Sequence, residues 1–144
     1  MNDIQRDLRL KVRSDPKLLS PVRSLVRSWV ASWDIDKKIA DEVVLAIDEA
    51  FTNAIRHAYE GRCDGSVELT LHAAQEYLEF QVSDTGLVCP SECIERRPLQ
   101  PPEPDELQPG GLGIQLIHKV FDEVDFYPGS GGGNCVTMKL KRSK

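Results

Sequence analysis

Near the N-terminus apolar and charged residues alternate, with Leu8, Leu10 and Val12 separated by Arg9 and Lys11. A period of two sets the three apolar side chains on one side of an extended chain, so this stretch is predicted as a half-buried strand. The period then lengthens. From Pro16 to about Trp33, Leu18, Leu19, Val22, Leu25, Val26, Trp29 and Val30 recur at the spacing of one helix face. Asp15 is the predicted N-cap, and Pro16 suits the first helical position, where no amide hydrogen is needed. A second helix is predicted from about Asp36 to Tyr59, stopped by Gly61, with Val44, Ile47, Phe51, Ile55 and Ala58 as its core-facing stripe.

Two strands follow, one through Val67, Leu69 and Leu71 and one through Leu78, Phe80 and Val82, joined by a turn near Ala74–Glu76. Between about Val88 and Gly110 the pattern is lost, and six of the nine prolines fall there, which excludes a long helix or a central strand. A loop of this length inside a compact domain is usually a functional lid or a disordered insert. Order returns with a helix from about Leu112 to Phe121, with Ile114, Ile117, Val120 and Phe121 facing one way. Strands around Val124–Tyr127 and Val136–Leu140 close the chain, joined by a turn at Gly129–Asn134. The order β-α-α-β-β-loop-α-β-β predicts an α+β fold, a two-layer sandwich with helices on one face of a mixed, mostly antiparallel sheet.

Composition narrows the function. At 144 residues with no internal repeat, one domain spanning 1–144 is expected. The net charge of −5 argues against a broad nucleic-acid-binding face. No apolar run approaches the ~18 residues of a membrane span, and the opening MNDIQRDLRLKV has no signal-like apolar region, so a cytoplasmic protein is expected. Cys63, Cys89, Cys93 and Cys135 read as reduced thiols rather than a zinc site, because Cys89 and Cys93 have no second close pair.

Three segments carry candidate chemistry. On the second helix Glu42, Glu49, Asn53 and Arg56 share the face opposite the core stripe, and Glu49 and Asn53 point side by side. Such residues are often only the wet side of an amphipathic helix. Asn53 is the unusual one, a poor helix former among small and apolar neighbours whose side-chain carbonyl suits a Mg²⁺ ion. Next, Asp84 follows a buried strand, where a carboxylate accepts a hydrogen bond from an exocyclic amine such as that of adenine, and Gly86 lets a flat base come close. An ordinary strand-ending turn explains the same residues. Third, Gly110, Gly111, Leu112 and Gly113 open a helix, where bare amides and the helix dipole favour a phosphate, although a hinge after the proline-rich loop explains them too. The glycines from 129 to 133 lie between strands and read as a hairpin turn unconnected with such a site.

In this order and spacing the three segments resemble the N, G1 and G2 boxes of the GHKL ATPases. Asp48–Tyr59 and Gly110–Ile117 narrow the resemblance to the bacterial anti-sigma factor serine kinases. What it implies is ATP bound with Mg²⁺ between the helices and a lid at about 88–110, Asn53 as the metal ligand and Asp84 as the adenine contact. Gly86, Gly110, Gly111, Leu112, Gly113 and His57 would line the nucleotide, and Glu49 would be the general base for a serine on a partner protein. By the same resemblance the partners are an anti-sigma factor antagonist and a sigma factor, and the protein is a homodimer. Val88 stands where a fuller G1 box has a second glycine, which keeps open a switch that binds ATP and partners without phosphoryl transfer. A histidine-kinase catalytic module is a third reading, but no His lies in the residues before the second helix.

Overall fold

The computed structural model describes residues 7–58, 65–86, 111–129 and 132–142, with backbone alone at 57–58 and 111–114. The chain opens with strand β1 (Leu8–Arg13), followed by a 3₁₀ turn at Pro16–Leu18. Asp15, predicted as the N-cap of the first helix, caps this 3₁₀ turn instead, accepting a hydrogen bond from the Lys17 amide at 3.0 Å, and the α-helix begins three residues later than predicted. Helix α1 (Leu19–Ala31) ends two residues before the predicted Trp33. Helix α2 (Lys37–Asn53) continues for five residues, Ala54–Ala58, as a π-helical turn. The predicted end at Tyr59 and Gly61 lies outside the described residues.

Strands β2 (Ser66–Ala73) and β3 (Tyr77–Asp84) form a hairpin closed by the Ala74 amide donating to the Tyr77 carbonyl. Helix α3 (Gly111–Val120) and strands β4 (Glu123–Pro128) and β5 (Asn134–Lys141) complete the chain. The proline-rich segment at 88–110 lies outside the described residues.

The sheet runs β1-β2-β3-β5-β4, and each of its pairings is antiparallel. Period-two alternation turns Val67, Leu69 and Leu71 of β2, Leu78, Phe80 and Val82 of β3 and Val136, Met138 and Leu140 of β5 toward the helices, all buried. Helices α1 and α3 flank α2 in a single layer on that face. The predicted stripe of α2 is buried at Val44, Ile47, Phe51 and Ile55, and Val43, Ala46 and Ala50 widen it because three neighbours cover this helix. The two-layer sandwich is therefore as expected, with no parallel pair among the described strands.

At the hairpin end of the sheet the layers are locked by rings. Trp29 meets Trp33 and Phe80 edge-on at 5.8 and 5.6 Å between centroids, and Phe80 meets Phe121 at 5.5 Å. Arg142 donates from Nη1 to the Ala74 carbonyl at 2.8 Å and lies over the Trp33 ring, fastening the end of the chain to the β2–β3 turn. Among the described residues no helix is long and apolar enough to cross a membrane.

Candidate functional site

Asp84 is the last residue of β3, and the pleat that buries Leu78, Phe80 and Val82 carries its carboxylate to the same, helix-covered side. It is 8% exposed. Three donors converge on its Oδ1: the Gly86 amide at 3.0 Å, the Asn134 amide at 3.3 Å and the Asn134 side-chain amide at 3.1 Å. Burial raises the pKa of Asp84 above the usual carboxylate value, and the hydrogen bonds from Asn134 and Gly86 offset part of that rise. No hydrogen bond from a described residue reaches Oδ2. The carboxylate is thus held by one oxygen and keeps the other open as an acceptor.

This arrangement depends on a glycine from another part of the chain. Gly133 has φ of +80°, and a Cβ there would lie 1.9 Å from the Asp84 carbonyl oxygen and 2.5 Å from the Thr85 Cα. No rotamer relieves that overlap, since both atoms are backbone. The β4–β5 connection is a hairpin turn as the sequence predicts, with Gly129 and Gly133 hydrogen-bonded across it. It is not unconnected with the site, however, because the β3–β5 register sets Asn134 directly opposite Asp84.

Asn53 ends α2, and its Oδ1 is buried with no hydrogen-bond partner among the described residues. An unmatched buried carbonyl oxygen costs roughly 1–3 kcal/mol, so a fold that keeps one has a place for an external donor or cation. The chemistry fits a hard divalent ion, for which a neutral amide oxygen is a regular ligand. The π turn begins at the next residue, where the Ala54 amide is shared between the carbonyls of Ala50 and Phe51. Such turns break the helical register, and they are frequent at functional sites.

Glu49 is half-buried one turn earlier, and among the described residues nothing hydrogen-bonds to it or pairs with it. Its neighbour Asp48 is tied down instead. Arg23 of α1 donates to Asp48 at 2.8 Å, and the Thr52 hydroxyl donates to the Asp48 carbonyl at 2.8 Å.

The π turn that follows Asn53 packs on β3, the strand that ends at Asp84. Helix α3 is fastened at its C-terminal end, where the Asp122 amide donates to the Lys139 carbonyl and Phe121 stacks near Phe80. Gly111, Leu112 and Gly113 form the first turn of that helix, described by backbone alone, and Gly110 lies outside the described residues. His57 is within the π turn, and its side chain is likewise not described. Gly86 is in place as a donor to Asp84. Sequence reasoning missed Gly133 and Asn134, and only the strand register could have supplied them.

The family model for the histidine kinase-like ATPase domain matches residues 12–140. Among curated proteins, the serine-protein kinase RsbW of Listeria innocua is 27% identical over 139 residues, 94% of this chain and 88% of that protein. The anti-sigma F factor of Bacillus subtilis is 31% identical over 124 residues, 85% of this chain and 84% of that protein. Among solved structures, a chain with RsbU and RsbW domains from Mycobacterium tuberculosis superposes with a TM-score of 0.64 at 20% identity, and this chain, 96% covered, spans 33% of it. The mycobacterial sensor histidine kinase MprB superposes with a TM-score of 0.52 at 13% identity, covering 93% of this chain and 97% of that one.

Proposed function

Since the chain belongs to the histidine kinase-like ATPase domain family, we propose that it is an ATP-dependent protein-serine kinase that also acts as an anti-sigma factor. Its protein substrate is an anti-sigma factor antagonist, its other partner a sigma factor, and its place the cytoplasm. The relatives named above support the class of activity. The observation that carries the reading is a carboxylate, Glu49, with no partner among the described residues, one turn from the buried Asn53 oxygen that also has none there, in a chain whose Asp84 keeps an oxygen open.

In this reading the free Oδ2 of Asp84 accepts a hydrogen bond from the adenine amine, and Gly86 leaves room for the base beside the backbone. The first turn of α3, with Gly110, Gly111, Leu112 and Gly113, offers amides and the positive end of a dipole to the phosphates, and His57 borders them. Asn53 Oδ1 holds the Mg²⁺. Bound Mg-ATP supplies the phosphoryl group and the charge neutralisation that its transfer needs. Glu49 takes the proton from the acceptor serine hydroxyl, and among the described residues no group is bonded to Glu49 to hinder it.

The test is to incubate the protein with Mg-ATP and purified antagonist proteins from the same organism and to assay phosphoserine. Wild type forms it, and Glu49→Ala slows transfer by ~10²–10⁴-fold while still binding ATP. ATP binding without phosphoserine on any antagonist would end the kinase reading. A second reading, a switch that binds ATP and partners without transfer, is favoured by Val88 in place of a glycine after Gly86. It requires that Glu49→Ala keep full sigma-factor regulation. A homodimer is also proposed, and a monomer in sedimentation at micromolar concentration contradicts it.

A further inference from the structure

Leu45 is the most exposed large apolar side chain among the described residues, at 54%. A lone exposed leucine is ordinary on a protein surface. This one stands on the crest of α2, turned away from the sheet, with four carboxylates around it at the three- and four-residue spacings: Asp41, Glu42, Asp48 and Glu49. Asp41 and Asp48 are held by Arg27 and Arg23 of α1, at 3.7 and 2.8 Å. Glu42 and Glu49 have no partner among the described residues. One turn beyond Leu45, Asp41 opens a groove of about 620 Å³ that Arg27, Ala31, Ile35, Lys37 and Ala40 complete.

We propose that Leu45 is the anchor for the serine-bearing acceptor protein, which covers the crest of α2 from Glu49 to this groove. The inference rests on the kinase reading and adds to it the docking surface. The argument is one of reach. A serine hydroxyl must come within ~3 Å of the Glu49 carboxylate to give up its proton. A folded acceptor covers ~800 Å² of its partner, a patch of roughly 16 Å radius. Leu45 lies ~6 Å along α2 from Glu49 and Asp41 ~12 Å, both inside that patch by the rise of 1.5 Å per residue.

An apolar centre with a charged rim is also the anatomy of a protein-binding hot spot. The two open carboxylates call for hydrogen-bond donors or positive charge on the acceptor beside its apolar contact. A second copy of this chain fits poorly. A two-fold contact centred on Leu45 sets its carboxylate ring against the same ring, like charge on like.

The test uses the antagonist that the wild-type protein phosphorylates, with Leu45→Glu and Leu45→Met compared in steady-state kinetics. Because Leu45 is exposed, neither change disturbs the core, and circular dichroism and ATP affinity stay at wild-type values. Leu45→Glu raises KM for the acceptor at least ~10-fold, the loss of one well-packed anchor, with kcat within about twofold. Leu45→Met, which keeps an apolar contact, remains within about twofold on both constants. An unchanged KM in Leu45→Glu overturns the docking surface and leaves the kinase reading standing. If wild type forms no phosphoserine, the kinase reading fails, and calorimetric affinity for the antagonist decides the surface: a tenfold loss in Leu45→Glu upholds it and none overturns it. Dissociation of a dimer by Leu45→Glu in sedimentation would assign Leu45 to a second copy and also overturn it.

Discussion

The two ends of the sandwich solve opposite problems with the same layers. At the hairpin end, Trp29, Trp33, Phe80 and Phe121 fill the space between sheet and helices, and Arg142 fastens the chain over Trp33 to the Ala74 carbonyl. At the other end Asn134 bonds Asp84, and Asp84, together with Asn53 and Glu49 of α2, keeps oxygens that nothing in the described structure bonds. One end is closed by apolar contact and the other by polar groups with acceptor capacity left over. Stability is concentrated where the groups are matched, and binding capacity where they are not.

The comparison breaks most severely at Gly133. Gly133→Ala forces a Cβ into the Asp84 backbone from a φ that L-residues avoid, and it should lower stability by about 2–4 kcal/mol and weaken ATP binding with it. Chemical denaturation and calorimetry read the two effects. Asp84→Asn should weaken function without a loss of stability. It keeps an oxygen for Gly86 and Asn134 but presents no charge, so ATP affinity falls by ~30–100-fold, about 2–3 kcal/mol for a hydrogen bond to a charged group.

The same variant gains stability at neutral pH. Burial raises the folded-state pKa of Asp84, so its ionised form weighs against the fold above that pKa, and the weight vanishes as pH falls and the group protonates. Asp84→Asn is therefore more stable than wild type at pH 7, by up to about 1 kcal/mol, and the difference shrinks on acidification. ATP affinity of the wild type correspondingly begins to fall at a higher pH than an ordinary aspartate would dictate.

Asn53→Ala should reduce magnesium-dependent ATP affinity by ~10-fold and raise stability by about 1–3 kcal/mol, since the lost buried oxygen had no partner among the described residues. Arg142→Ala supplies the control from the other end. It removes a hydrogen bond and a ring contact for a loss of about 1 kcal/mol in thermal unfolding, with nucleotide affinity unchanged.

Local pattern made much of this legible. The period-two runs at Val67–Leu71 and Leu78–Val82 and the stripe from Val44 to Ile55 carry their own burial signal, so strands and helix lie where they were expected. Asp15 before Pro16 marked a cap through chemistry confined to three residues, although the cap serves a 3₁₀ turn ahead of α1 rather than α1 itself. Asn53 stood out because a poor helix former occupied a helix. Asp84 could be suspected from its place after a strand, but its clamp could not, because Asn134 is fifty residues away and reaches it only through the β3–β5 register. The same distance hid Gly133, whose run of glycines is sufficiently explained by a hairpin. The π turn at Ala54–Ala58 has no periodic signature, since it shifts the helix by a single residue after Asn53.

The β3–β5 pairing also sets an order on assembly. Strand β5 inserts between β3 and β4, so the clamp on Asp84 comes into being only after β5 has been made and has paired with β3, some fifty residues earlier in the chain. Pairings of such long sequence separation form slowly, because the entropy of closing the loop is lost before any contact compensates for it. A nascent chain can have α1, α2 and the β2–β3 hairpin in place and still have no nucleotide pocket. Retention of ATP would then report that β5 has paired with β3, and excess nucleotide should speed recovery from denaturant only at the last kinetic phase.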